Sequence, residues 1–122
     1  MSAPRLLIVD DEPDLRKVMQ RGLELAGCRV DSMEDPKSAL AAFKPGLYEL
    51  VILDIGLPEM DGFELYEELL RLDSTIKVCF LTAFDMEYFG EFRRRFPNVP
   101  GRCFVKKPVA LRDLITLVQS QL

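Results

Sequence analysis

Histidine is absent from this chain of 122 residues. That absence removes imidazole general bases, Ser-His-Asp triads, histidine-ligated metals and any phosphohistidine carried by the chain itself. Chemistry is left to carboxylates, lysine and hydroxyls. Cysteine is scarce: Cys28, Cys79 and Cys103 are odd in number, far apart and without CxxC spacing. That pattern argues against a disulfide framework or a zinc site and for buried, inert thiols. No apolar run approaches membrane-spanning length and the N-terminus lacks signal-peptide character, so no membrane partner and a cytoplasmic location are expected. The net charge of −4 argues against direct nucleic-acid binding. With 48% hydrophobic and 30% charged residues, the length fits one domain over 1–122 with a real core and is too short for two.

What is present is an alternation of apolar runs and helix-period segments. RLLIV (5–9), CRVDS (28–32), LVILD (50–54), KVCFLT (77–82) and RCFVK (102–106) read as five short strands. Between them, apolar residues recur at helical spacing: Leu15, Val18, Met19, Gly22 and Ala26; Ala39, Leu40 and Phe43; Leu65, Leu69 and Leu72. The last stripe, Leu111, Leu114, Ile115, Val118 and Leu122, is the clearest. Asp35-Pro36 places a cap before a proline at the first helical position, and Asp61-Gly62-Phe63-Glu64 has the form of a capping box. Repeated βα units predict an α/β fold, a doubly wound parallel sheet with helices on both faces.

The stretch LLIVDDEPDL then poses an electrostatic problem. A strand buried on both faces runs straight into Asp10, Asp11 and Glu12. Two like charges about 4 Å apart repel by roughly 4 kcal/mol at an effective dielectric near 20. Either the acids face water, or a positive group sits among them. In parallel sheets, ligands bind outside the carboxyl ends of the strands. There the predicted strands deliver Asp10 and Asp11, Asp54, Thr82, and Lys106-Lys107. Taken singly, each acid reads as a helix cap or a solvated loop residue, and Asp11 or Glu12 suits a cap for the following helix. Five groups arriving at one rim suit a hard cation such as Mg2+ and the binding or transfer of a phosphoryl group.

In order along the chain, IVDDEPDL, VILDIGLPEMDGFEL, LTA and KKP resemble the acidic pair, the phosphoacceptor strand and loop, the switch threonine and the lysine–proline motif of response regulator receiver domains in two-component signalling. The resemblance covers essentially the whole length. It implies a flavodoxin-like receiver fold with strand order 2-1-3-4-5 and no output domain within the chain. It implies that Asp54 accepts a phosphoryl group from the phosphohistidine of a sensor histidine kinase or phosphotransfer protein in a phosphorelay. Asp11, Asp54 and the Gly56 carbonyl would hold Mg2+, with Asp10 acting through water. Thr82 and Lys107 would contact the phosphoryl oxygens, Phe104 would be the aromatic switch, and the Lys107-Pro108 bond would be cis. Lys106 is expected to point to solvent by strand alternation.

Such a chain would be a signalling switch rather than an enzyme, supporting only its own phosphotransfer and dephosphorylation. It would control a downstream protein target or an output domain through its last helices and strand. The alternative is a receiver-like docking module that works unphosphorylated; the intact set of Asp10, Asp11, Asp54, Thr82 and Lys107 argues against it. A haloacid dehalogenase-type phosphatase would want an Asp where Gly56 stands, and flavin binding would want a phosphate-cradling loop after the first strand. The segment 84–102 departs from the family. Arg93-Arg94-Arg95 reads as a solvated face or a surface for an acidic partner, and Phe89, Phe92 and Phe96 read as core.

Overall fold

The apolar runs become strands because most of their side chains must leave water. In the computed structural model, which describes residues 3–83 and 88–122, they form β1 (Arg5–Val9), β2 (Arg29–Met33), β3 (Leu50–Asp54), β4 (Lys77–Thr82) and β5 (Phe104–Lys106). The sheet is parallel throughout, in the order β2-β1-β3-β4-β5. Its register aligns Leu7 with Val51, Val51 with Val78 and Phe80 with Phe104. Helices α1 (Pro13–Leu25), α2 (Pro36–Ala42), α3 (Gly62–Leu72), α4 (Phe89–Arg95) and α5 (Leu111–Gln121) connect or follow the strands.

Strand alternation divides the core in two. Leu6 and Ile8 join Leu50, Ile52, Cys79 and Leu81 in a layer with Met19 and Leu23 of α1 and Leu114 and Val118 of α5. Leu7 and Val9 face the other way, into a layer with Val51, Leu53 and Phe80 and with Ala39, Phe63, Leu69 and Phe92 from the remaining helices. Leu6, Leu7, Ile8 and Val9 are all completely buried; each such side chain contributes about 1.5–3 kcal/mol relative to exposure. This two-sided burial explains why the central strands β1, β3 and β4 read as apolar runs. The three thiols are buried as expected. A hydrogen bond to Cys103, together with burial, holds the Cys79 thiol far above its ordinary pKa, which keeps it unreactive.

Helix starts follow the sequence signals. Asp35 accepts a hydrogen bond from the Ser38 amide at 2.7 Å, and Asp61 and Glu64 complete a capping box at α3. Three expectations need adjustment. The second strand begins one residue later than expected, at Arg29. The fifth begins at Phe104, because Gly101–Cys103 winds into a 3-10 turn whose Cys103 amide bonds to the Pro100 carbonyl at 2.9 Å. In α1 the buried residues are Met19, Gly22 and Leu23, whereas Val18 is 52% exposed.

The segment 84–102 is the largest departure, and its first four positions, 84–87, lie outside the described residues. The aromatic expectation holds: Phe92 and Phe96 are buried and Phe89 packs beside them. The solvated-face expectation holds for Arg94, which is exposed, but not for its two neighbours. Arg93 donates to the Val99 and Pro97 carbonyls, both at 2.9 Å. Arg95 pairs with Glu67 of α3 and with Glu91, its guanidinium 5.5 Å from the centre of the Phe63 ring. Two of the three arginines therefore brace their own chain. The helix stops before Pro97, which restricts the residue preceding it, and the turn that follows folds its Pro97 and Val99 carbonyls back within reach of Arg93.

Candidate functional site

Four strand ends meet at one rim. Asp10 follows β1, Asp54 closes β3, Thr82 closes β4 and Lys107 follows β5. The positive group that the acidic run demanded is Lys107. Its Nζ lies 2.9 Å from Asp10 Oδ2, 2.7 Å from Glu12 Oε1 and 3.2 Å from Asp54 Oδ2. The Lys107 amide bonds to the Thr82 carbonyl at 2.7 Å, and the Lys107-Pro108 peptide is cis. Lys106 is exposed, so alternation sends one lysine outward and its neighbour to the acids.

The acids are not equivalent. Asp10 is completely buried. Its Oδ1 accepts from the Glu12 amide at 2.9 Å, and its carbonyl accepts from Arg16 at 2.7 Å. Its Oδ2 touches the Lys107 ammonium as an ion pair but accepts no well-aligned hydrogen bond. Asp54 Oδ1 accepts from the Gly56 amide at 3.1 Å. Burial raises the pKa of Asp54 most, the Lys107 charge opposes this, the Asp10 charge adds to it, and the net direction is upward. For Lys107, burial lowers the pKa, but the hydrogen bond to Glu12 and the charges of Asp54 and Asp10 outweigh it, so the ammonium is strongly favoured.

Asp10, Asp54, Thr82 and Lys107 are thus brought together. Asp11 is placed differently: it is exposed and lines an open cavity of about 350 Å3 with Glu34, Asp35, Lys37, Pro58 and Glu59. Gly56 enters the site through its amide. Phe104 packs behind the rim, its ring centroid 5.0 Å from that of Phe92 and 5.5 Å from that of Phe89.

Two residues escaped the sequence reading. Glu12 occupies the N-cap position of α1, yet its side chain caps nothing and reaches Lys107 instead. Gly62 was read only as part of a cap. A Cβ there would stand 2.5 Å from the Asp54 carbonyl oxygen and 3.0 Å from the Ile55 Cα, so glycine lets α3 begin directly against the strand that carries Asp54. The only available signals were the third acid of DDE and the glycine of MDG.

The carboxylate oxygens of Asp10, Glu12 and Asp54 lie within 4.8 Å of one another. An oxygen-only donor set, with a buried Asp10 oxygen lacking a hydrogen bond, fits a hard divalent cation.

A parallel five-stranded sheet with carboxylates and a lysine at its carboxyl edge defines a class, and comparison with known proteins gives it a name. The sequence matches the response regulator receiver domain over residues 6–119, and the chain belongs to that family. It is 40% identical to the transcriptional regulatory protein TcrA of Mycobacterium tuberculosis over 122 residues, covering 98% of this chain and 46% of TcrA. It is 30% identical to the response regulator receiver protein CpdR of Brucella abortus, covering 97% and 96% respectively. The chain therefore spans about half or less of the transcriptional regulators it resembles and nearly all of CpdR. A CheY-like receiver domain protein from Methanospirillum hungatei superposes with a TM-score of 0.85 at 27% identity, covering 98% of this chain and 94% of that one. The response regulator protein TrrA of Thermotoga maritima, solved in complex with Mg2+-BeF, superposes with a TM-score of 0.81 at 30% identity, covering 98% and 99%.

Proposed function

We propose that this chain is a phosphorylation-dependent signalling switch in which Asp54 takes a phosphoryl group from a sensor histidine kinase or phosphotransfer protein. The observation that carries the reading is the Lys107 ammonium held 3.2 Å from Asp54 Oδ2 and 2.9 Å from Asp10 Oδ2. A carboxylate attacking an anionic phosphoryl group meets electrostatic repulsion, and a prepositioned cation offsets it. An oxygen of Asp54 bonds to phosphorus while the donor's P–N bond breaks and its electron pair leaves with the imidazole. Lys107 turns an N–H to the phosphoryl oxygens, and the Thr82 hydroxyl supplies a second donor. Asp11, Asp54 and the Gly56 carbonyl would hold Mg2+, with Asp10 acting through water and Glu12 nearby. When bound, Mg2+ neutralises charge on the phosphoryl oxygens.

The unit 1–122 acts as one cytoplasmic receiver domain. Its output is a downstream protein or a linked output domain, reached through α4, β5 and α5. Thr82 turning to the phosphoryl group would open space for Phe104 to move inward, biasing a two-state element. The resemblance to a Mg2+-BeF complex supports a direct test. Titration with Mg2+ and beryllofluoride, followed by NMR or tyrosine fluorescence, should saturate for the wild-type chain and fail for Asp54→Asn. Unchanged binding in that variant would move the acceptor elsewhere. Absence of binding in the wild type would favour docking without phosphorylation.

A further inference from the structure

Lys107 has three N–H groups and three carboxylate neighbours, and those neighbours differ in how readily they can leave. Asp10 is completely buried and pinned through its Oδ1 and its carbonyl. Stripping its ion pair would strand a buried charge. Asp54 is the reacting group itself. Glu12 makes the shortest of the three contacts, 2.7 Å, although 58% of its side chain is exposed. It holds that contact from the N-cap position of α1, where its side chain makes no cap hydrogen bond.

We infer that Glu12 is a releasable latch on Lys107, occupying one ammonium N–H in the resting site and competing with the incoming phosphoryl oxygens for it. The inference rests on the phosphoacceptor reading of Asp54. A phosphoryl group brings new acceptors to an ammonium already crowded by three carboxylates, and Glu12 is the neighbour best able to yield. Water can solvate Glu12 at once, and an exposed ion pair is weak enough to exchange. Glu12 also lines a cavity of about 380 Å3 with Leu15, Ala83, Lys107, Pro108 and Val109, so its charge stands at an approach to Lys107. It is a positioning residue, acting through Lys107 rather than on phosphorus.

Glu12→Gln removes the charge, and Glu12→Asp keeps it but withdraws it by one methylene. Both variants should be labelled by acetyl phosphate with Mg2+ faster than wild type, by about three- to fivefold, the size of a half-exposed ion pair. Both should also bind beryllofluoride more tightly. Wild-type rates in both variants would overturn the latch. Acceleration by Glu12→Gln alone would overturn it too, assigning the effect to charge at the cavity. The Lys107 15Nζ resonance gives a check that needs no turnover. It should differ between wild type and Glu12→Gln in the resting protein and coincide once beryllofluoride is bound. A difference that persists in the bound state means Glu12 does not let go, and the inference fails. A wild-type chain that neither labels nor binds beryllofluoride would fail the phosphoacceptor reading itself, and the latch with it.

Discussion

Asp54 carries its charge against its surroundings, and the cost falls on the fold. Its pKa is raised by burial first and by Asp10 further down the order, despite Lys107. The folded chain therefore binds that proton more readily than the unfolded one. Stability lent by the protonated form is complete below the ordinary carboxylate value and is lost as pH rises through the raised one. Asp54→Asn should accordingly unfold at higher urea than wild type at pH 7, and the two midpoints should converge in acid. A wild-type midpoint at or above that of the variant at pH 7 would refute this. Gly62 gives the opposite expectation. A methyl placed 2.5 Å from the Asp54 carbonyl meets backbone that cannot swing aside, so Gly62→Ala should cost about 1–3 kcal/mol and weaken beryllofluoride binding. An unperturbed variant would mean that α3 shifts freely.

At the scale of elements, α4 and the turn after it are held from within. Arg93→Gln should cost about 1 kcal/mol through its two lost carbonyl contacts, and Arg95→Gln a comparable amount through its link to Glu67. Arg94→Gln, at an exposed position, should stay within about 0.5 kcal/mol. Hydrogen exchange adds detail: the Val99 amide, bonded to the Phe96 carbonyl at 3.1 Å, should lose protection in Arg93→Gln but not in Arg94→Gln. Equal protection in both would leave Arg93 a bystander. These roles were illegible in the sequence because their partners are loop carbonyls and a glutamate on another helix. Glu12 was obscured for the same reason, since its partner lies 95 residues away. The central strands were legible because burial on both faces leaves apolar runs. The rim was legible because a parallel sheet sends every strand's carboxyl end to one edge. Element boundaries moved where backbone detail decided them, as at the 3-10 turn before Phe104.

For the molecule as a whole, the carboxylates divide by sign. At Asp31, burial pushes the pKa up, but the Tyr48 hydroxyl at 2.6 Å and the Arg5 guanidinium outweigh it and lower it. Asp35 and Asp73 are lowered by hydrogen bonds, chiefly from Ser38 and Thr75. Stability from these three is present above the ordinary carboxylate value and is lost as pH falls through their depressed values. Asp31→Asn should therefore be less stable than wild type at pH 7, with the gap closing in acid. A gap independent of pH would point to lost packing instead. Asp54→Asn and Asp31→Asn should thus approach wild type from opposite sides.

The placement of Lys107 also bears on the order of synthesis. The ammonium that sits between Asp10 and Asp54 follows β5, 53 residues after Asp54. A ribosome releases Asp10 and Asp54 long before it releases their counter-charge. Until β5 docks beside β4, the Asp10 and Asp54 carboxylates lack the lysine that lies between them in the complete fold. Pairing β1 with β3 brings two like charges together, and the cation that offsets their repulsion comes from the far end of the chain. The edge strand thus brings the rim its lysine as well as completing the sheet.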